Sequence, residues 1–223
     1  MSVLVIIPAA GSGSRFGGPI PKQFQPLAGK PLVQYVVERF LMTDVDRIIV
    51  AIPDAILTTV KQTPADRVLF VAGGETRQQS VIKAMAAAGN DYDVVAVHDA
   101  VRPFFRIDTL GLLIDAAERH GAALPALPIT DTIHATRDGR LSATVDRSNL
   151  VAAQTPQCFR FAILREALAR AEREKFDATD EAGLATHYGY EVHIVPGDPF
   201  NIKITRPEDL ALAEAHFEEW SKQ

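Results

Sequence analysis

A single cysteine, Cys158, is all the thiol this chain has. One thiol cannot close an internal disulfide, which suits a reducing compartment. It sits in Gln157-Cys158-Phe159 with no partner group suggested nearby, so it reads as a buried structural thiol rather than a nucleophile. No apolar run approaches the roughly 18 residues that mark a membrane helix. The opening Val3-Leu4-Val5-Ile6-Ile7 has no basic segment before it and is short for an export signal, so it reads as a strand. Cytoplasmic residence is the expectation. Positive charge is also scarce. The 23 Lys and Arg against 28 Asp and Glu leave a net charge of −5, which argues against a nucleic-acid surface, because duplex binding demands a broad basic footprint. The six histidines show no H-E-x-x-H or similar metal spacing, and there is no G-x-S-x-G elbow, so neither zinc-ligand nor serine-hydrolase chemistry has support.

The informative stretch follows the first apolar run: Pro8-Ala9-Ala10-Gly11-Ser12-Gly13-Ser14-Arg15, then Pro21-Lys22-Gln23. Small residues let a backbone approach phosphate oxygens closely, and successive turn-like N–H groups form an anion-binding nest. Arg15 and Lys22 add two cations to the same stretch, which holds no acid. It is not a dinucleotide fingerprint, since the third glycine position falls on Phe16. It is not a Walker A loop, since Gly18-Pro19 stands where Gly-Lys is required. What remains suits a nucleotidyltransferase that handles a polyphosphate, the alternative being an ordinary Gly-rich strand-to-helix connection.

At 223 residues the chain suits one domain with an ample core. Apolar β-branched runs alternate with helical patterns, which predicts an α/β fold with a mostly parallel sheet covered on both faces. Strands are expected at residues 3–8, 47–52, 68–71, 94–98, 122–128 and 192–195. Helices are expected at 32–42, 78–88, 107–120 and 161–175, with a last helix opening in a capping-box pattern at Thr205-Arg206-Pro207-Glu208. The segment from Asp131 to Val151 breaks the alternation. Its short polar runs flank Asp138-Gly139, a hairpin turn signal. A polar two-stranded arm is marginal alone, so a homodimer with embracing arms is the expectation, and a solvent-exposed flap the alternative.

Ligands of open parallel sheets bind beyond the carboxyl ends of the strands. Here those ends carry Gly73-Gly74-Glu75-Thr76-Arg77, His98-Asp99-Ala100-Val101-Arg102-Pro103, Thr130-Asp131-Thr132, Gln154-Thr155-Pro156-Gln157, Thr179-Asp180-Glu181 and Asn201-Ile202-Lys203. Asp99 closes an apolar strand, where a carboxylate can hold Mg²⁺ or a ribose; an ion pair with Arg102 or a helix cap is the alternative. His98 reads as a hydrogen-bonded structural residue rather than a general base.

In order and spacing these motifs, together with Ser80 and Val145-Asp146-Arg147, resemble the 2-C-methyl-D-erythritol 4-phosphate cytidylyltransferase family over essentially the whole chain. The resemblance implies a single Rossmann-like domain over residues 1–223, of the nucleotide-diphospho-sugar transferase type, with a protruding dimerisation arm at about 131–151. It implies that Pro8, Ala9, Ala10, Gly11 and Gly13 cradle CTP and that Arg15 and Lys22 grip its phosphates. Gly74, Arg77 and Ser80 would shape the cytosine pocket, while Asp99 and Ala100 would lie by the ribose and Mg²⁺. Arg102, Thr155, Thr179 and Lys203 would hold methylerythritol phosphate, reached from the partner subunit by Thr132 and Arg147. One departure is visible: Glu75-Thr76 stands where some relatives carry an acidic pair.

The implied reaction joins CTP and 2-C-methyl-D-erythritol 4-phosphate into the CDP-alcohol and pyrophosphate, a step of non-mevalonate isoprenoid synthesis. A phosphate monoester is already mostly dianionic at neutral pH, so no general base is needed, and Arg15, Lys22, Arg147 and Lys203 would carry the catalysis. A ribitol 5-phosphate cytidylyltransferase and a CTP-binding module without turnover are the alternatives.

Overall fold

The computed structural model describes residues 1–11, 16–17, 20–58, 67–89 and 92–220. Gly13 and Arg15, two of the expected phosphate ligands, lie outside the described residues. In chain order the elements begin with β1 (Val3–Pro8), a single 3-10 turn (Lys22–Phe24), β2 (Pro26–Leu27), β3 (Lys30–Pro31), α1 (Leu32–Leu41), β4 (Arg47–Ile52), α2 (Asp54–Leu57), β5 (Val68–Ala72), α3 (Arg77–Ala88), β6 (Val94–Val97) and α4 (Ile107–His120). There follow β7 (Ala122–Pro128), β8 (Ile133–Arg137), β9 (Arg140–Val145), β10 (Val151–Ala153), β11 (Gln157–Arg160), α5 (Phe161–Glu174), α6 (Glu181–His187), β12 (His193–Pro196) and α7 (Pro207–Trp220).

The apolar runs pair as a central sheet in the order β5-β4-β1-β6-β11-β7-β12. β5, β4, β1 and β6 are mutually parallel, as are β7 and β12. The expected mostly parallel sheet is present, with one addition. β11 runs antiparallel between β6 and β7, and β10 continues along the same side of β7. The two form one interrupted strand: Ala153 faces Ala126 whereas Cys158 faces Ala123. Residues 154–156 therefore interrupt the ladder before Gln157 resumes it opposite Val97, and breaks of this kind re-aim side chains next to sites.

Alternation along β1 divides the core. Val3, Val5 and Ile7 pack with Val36 and Phe40 of α1 and Leu113 of α4 on one face. Leu4 and Ile6 pack with Val81 and Ala84 of α3 and Leu164 and Leu168 of α5 on the other. Helices thus cover both faces because every β1 side chain on either face is apolar. A third cluster, with Leu27, Leu32, Tyr35, Phe104 and Ile204, seats α7. That helix start departs from the expected box: Asp209, not Glu208, reaches back, its Oδ2 accepting from the Thr205 and Arg206 N–H groups at 2.8 and 2.9 Å.

β8 and β9 form a separate antiparallel hairpin whose two-residue turn, Asp138 and Gly139, has φ of 50° and 73°. Positive φ at both central residues is what a type I′ turn requires, hence the Asp-Gly pair. The hairpin is shorter than the 131–151 span expected, because Val151 already belongs to β10 in the main sheet.

The chain runs β1, β4, β5 to one side and then crosses to β6 on the other side of β1. This reversal of strand order between β1 and β6 opens a crevice at their carboxyl ends, the usual ligand position in such sheets. Two strand-end loops meet there so closely that a Cβ on Gly73 would lie 2.2 Å from Ala10 Cβ and 3.0 Å from Ser80 Oγ. Gly73→Ala is expected to cost about 1–3 kcal/mol of stability by overpacking, a drop in Tm of roughly 2–12 °C for a chain of this size; a thermal melt checks it.

Candidate active site

The crevice is a pocket of about 270 Å³ lined by three strand-end segments, Pro8–Gly11, Gly74–Arg77 and Asp99–Val101, together with Lys22, Gln23, Ser80 and Lys203. Its first wall is set by an amide. Gln23, buried in the 3-10 turn, donates from Nε2 to the carbonyls of Ala9 (2.7 Å) and Gly11 (2.8 Å). Those two bonds fix Ala9 and Gly11 at the wall of the crevice, with Lys22 beside them.

The second wall is the start of α3. Thr76 and Gln79 form a reciprocal capping box. Ser80 Oγ donates to the Thr76 carbonyl (3.0 Å) and accepts from the Gly74 N–H (3.0 Å). A Cβ on Gly74 would sit 2.3 Å from Gln79 Cβ, so no larger residue fits that turn.

At the floor lies Asp99, only 7% exposed. Its Oδ2 is 2.9 Å from Lys203 Nζ and 3.4 Å from Arg102 Nε, and its Oδ1 is 3.4 Å from Arg77 Nε. Burial alone would raise the Asp99 pKa, but Arg77, Lys203 and Arg102 overrule it and hold the carboxyl well below the usual range. Arg77 Nη1 in turn binds both oxygens of Glu181, at 2.7 and 2.8 Å.

The 154–157 segment organises this floor. The Asp99 N–H donates to Thr155 Oγ1 at 3.0 Å, and that hydroxyl lies 3.1 Å from His98 Nδ1. His98 Nε2 lies 2.9 Å from the Arg102 carbonyl, which can only accept, so the proton is on Nε2 and the Thr155 hydroxyl donates to Nδ1. Gln154 holds both backbone groups of Asp198, at 2.8 and 3.1 Å, and so fixes the loop leading to Lys203. Ile204, fully buried, donates its N–H to the Val101 carbonyl at 3.0 Å, which pins the other side of Lys203.

Of the residues singled out from sequence, Pro8, Ala9, Ala10, Gly11, Lys22, Gly74, Arg77, Ser80, Asp99, Ala100 and Lys203 all line this one pocket. Arg102 and Thr155 stand behind it as buried supports: Arg102 Nη1 donates to the Asn201 carbonyl at 2.7 Å, and the Thr155 hydroxyl is taken up by Asp99 and His98. Thr132, Arg147 and Thr179 are exposed and do not line it. The Arg147 guanidinium donates to the carbonyl of Thr130. Cys158 is fully buried, and burial pushes its thiol pKa up, so it is inert as expected. Sequence reasoning gave no role to Gln23, Gln157 or Glu181. The first was quoted beside Lys22, and the others lie in polar motifs at strand ends; a polar residue in such a run is the signal that was available.

Comparison with known proteins gives a consistent result. The family model described as 2-C-methyl-D-erythritol 4-phosphate cytidylyltransferase matches residues 3–219. The enzyme of that name from Geobacter metallireducens is 42% identical over 229 residues, covering 98% of this chain and 99% of its own. The crystal structure of the Thermus thermophilus enzyme is 37% identical with a TM-score of 0.84, over 98% of this chain and 100% of that one. That of the Francisella tularensis enzyme is 30% identical with a TM-score of 0.85, over 96% and 99%.

The buried imidazole makes this floor acid-sensitive. Burial pushes the His98 pKa down to about 4 from an ordinary 6.5, so the unfolded state binds this proton first as pH falls. Stability due to neutral His98 is complete above about 6.5 and is lost progressively toward about 4, up to roughly 3 kcal/mol at 1.36 kcal/mol per pH unit. Asp99 adds its own loss only below its ordinary 3.8. Denaturant unfolding at several pH values is expected to show the slope between 6.5 and 4, and a His98→Asn variant, weaker at neutral pH, is expected to lack it.

Proposed function

Since the chain belongs to the 2-C-methyl-D-erythritol 4-phosphate cytidylyltransferase family, we propose that this pocket is where it transfers CMP from CTP to 2-C-methyl-D-erythritol 4-phosphate. The chain is a cytidylyltransferase of non-mevalonate isoprenoid synthesis, yielding 4-diphosphocytidyl-2-C-methyl-D-erythritol and pyrophosphate. Membership sets aside both the ribitol phosphate and the binding-module readings.

The observation that carries the pocket assignment is the meeting of the small-residue loop, Lys22 and the Asp99–Lys203 pair in one crevice. The backbone of Ala10 and Gly11, with Gly13, cradles the triphosphate, while Ala9, its N–H on the Ala51 carbonyl and its carbonyl on Gln23, anchors the loop to the sheet. Gly74, Ser80 and the Arg77 end of α3 face the base, and Ala100 the ribose. The nucleophile is a phosphate oxygen, already ionised at neutral pH, so the work is to bring two anions together. Lys22 and Arg15 offset charge growing on the α-phosphate and the leaving pyrophosphate. Lys203 and Arg147 hold the attacking phosphate in line with the α-phosphorus, where orientation contributes most. His98, buried and already hydrogen-bonded at both nitrogens, moves no proton in this scheme. Thr155 and Arg102 act by fixing Asp99, and Thr179 closes the substrate end.

The donor set suits a Mg²⁺ that arrives on the nucleotide. Asp99 and Glu75 are the carboxylates at the pocket, and both Asp99 oxygens already face cations. Among the described residues no group of three or more His, Cys, Asp or Glu could hold a metal, so a Mg²⁺ would be held mainly by the nucleotide phosphates with Asp99 beside it. Mg²⁺ commonly takes one or two carboxylates plus phosphate oxygens, and when bound supplies charge stabilisation to the transferring phosphate.

The arm completes the site in a homodimer. β8 and β9 expose nearly every residue, including Leu141 at 70%. A lone hairpin of this kind is marginal, and its Thr132 and Arg147 do not line the pocket of their own chain.

Pyrophosphate release from CTP and Mg²⁺, assayed separately with methylerythritol phosphate and ribitol 5-phosphate, is expected only with the former. Lys203→Ala is expected to lower kcat by on the order of 10²–10³. Mixed Arg147→Ala and Lys22→Ala subunits are expected to recover activity above either parent; no recovery would count against an arm acting in trans.

A further inference from the structure

Glu181 has no place in the chemistry described so far, yet it is among the most deeply buried charges of the described residues, 2% exposed. It opens α6 and meets a residue 104 positions away, with both carboxylate oxygens on Arg77 Nη1 at 2.7 and 2.8 Å. Arg77 opens α3, lines the pocket and turns its Nε to Asp99 Oδ1 at 3.4 Å. The guanidinium is therefore a bridge between two carboxylates.

Both carboxylates are tied to the same short segment, residues 155–157. Thr155 takes the Asp99 N–H at 3.0 Å. Gln157, two residues on, holds the first turn of α6: its Nε2 donates to Asp180 Oδ2 at 2.8 Å and its Oε1 accepts from the Ala182 N–H at 2.9 Å. Asp180 caps that turn through the Gly183 N–H at 2.8 Å. The positions of Asp99 and Glu181 are thus both tied to the 155–157 segment through its side chains, and Arg77 spans between them.

The charges explain why this matters. Two carboxylates, Asp99 and Glu181, stand against three cations, Arg77, Arg102 and Lys203. Were Glu181 neutral, Arg77 Nη1 would lose the charge that compensates it, and the guanidinium would be drawn to whatever anion occupies the pocket. Charge-assisted hydrogen bonds from one guanidinium nitrogen to both oxygens of a buried carboxylate hold that end of the arginine in place.

Given the reading of this pocket as the CMP-transfer site, on which the assignment rests, we propose that Glu181 is a positioning residue that keeps Arg77 committed to Asp99, so that Arg77 shapes the pocket without gripping the nucleotide phosphates. Binding energy given equally to ground and transition states lowers KM without raising kcat. Releasing Arg77 is therefore expected to tighten or preserve CTP binding while misplacing the reacting groups.

The test uses steady-state kinetics of the full chain with CTP and methylerythritol phosphate. Glu181→Gln, isosteric and neutral, is expected to lower kcat about 10–100-fold, as small displacements of reacting groups do, with the KM for CTP unchanged or lower. Glu181→Asp, which keeps the charge, is expected to recover part of kcat. In an Arg77→Ala background, Glu181→Gln is expected to change kcat/KM less than about twofold, because the residue it acts through is gone. A role in folding alone would instead lower Tm and active fraction with KM unmoved, and would add to the Arg77→Ala loss. Wild-type kcat and KM in Glu181→Gln, or an equal loss in both backgrounds, overturns the proposal. Lys203→Ala run alongside keeps two failures apart. A costly Lys203→Ala with a silent Glu181→Gln overturns this assignment alone, whereas silence in both overturns the pocket assignment itself.

Discussion

The buried carboxylate of Asp99 is the constraint on which the site depends. A charge taken out of water persists only when paired and hydrogen-bonded. Here the pairs come from Asp99's own loop, through Arg102 three residues beyond it, and from two distant segments, Arg77 at the start of α3 and Lys203 in the loop before α7. Satisfying one ion therefore draws two distant segments to the carboxyl end of β6. The apolar packing of Val3–Pro8 and its neighbours makes the sheet, but this ion decides which loops meet above it. Removing one partner from such a pair typically costs 3–5 kcal/mol, because the remaining charges lose their compensation.

A second layer of neutral groups makes that ion tenable. Thr155 and His98 form a chain in which each hydrogen bond has one possible direction, from Asp99 N–H to Thr155 to His98 to the Arg102 carbonyl. The imidazole serves by remaining neutral. This separates support from chemistry: the buried layer holds no mobile proton, whereas Lys22 and Lys203 line the pocket. A reaction between two anions needs that division, since its barrier is charge repulsion rather than proton transfer.

Much of this was legible in the sequence, and what was not has a common cause. β1, β4, β6, β7 and the helices flanking them were read within a residue or two because each is a long apolar or amphipathic run. The turn at Asp138-Gly139 was read because positive φ at two successive positions leaves few residue choices. β10 and β11 were missed because they are three and four residues long and separated by the polar break. Neither is long enough for a period to show. The pocket's lining was legible because small residues and lysines at strand ends announce an anion. Its supports were not. Nothing local to Arg77 indicates Glu181, and nothing local to Gln23 says that its amide turns back to the carbonyls of Ala9 and Gly11. Arg102 and Thr155 stood in the same polar motifs as the lining residues, and only burial distinguishes a group that touches a ligand from one that holds its neighbour.

The segment at 154–157 shows why short irregular segments can matter more than long regular ones. A continuous antiparallel strand between β6 and β7 would keep every side chain on one of the two sheet faces, committed to one core cluster or the other. The break leaves Gln154 and Thr155 outside the paired residues, with Gln157 the first residue to resume pairing, opposite Val97. Each then ties down a different loop: Asp198 before Lys203, Asp99 after β6, and the first turn of α6. Three loops from distant parts of the chain thus take their positions from one four-residue segment, whose ends are fixed by pairing with β7 and β6. The sheet's rigidity passes into the site through this break. A displacement of this segment would move Lys203, Asp99 and Glu181 together rather than singly, so the geometry among the charged groups is better conserved than the position of any one of them.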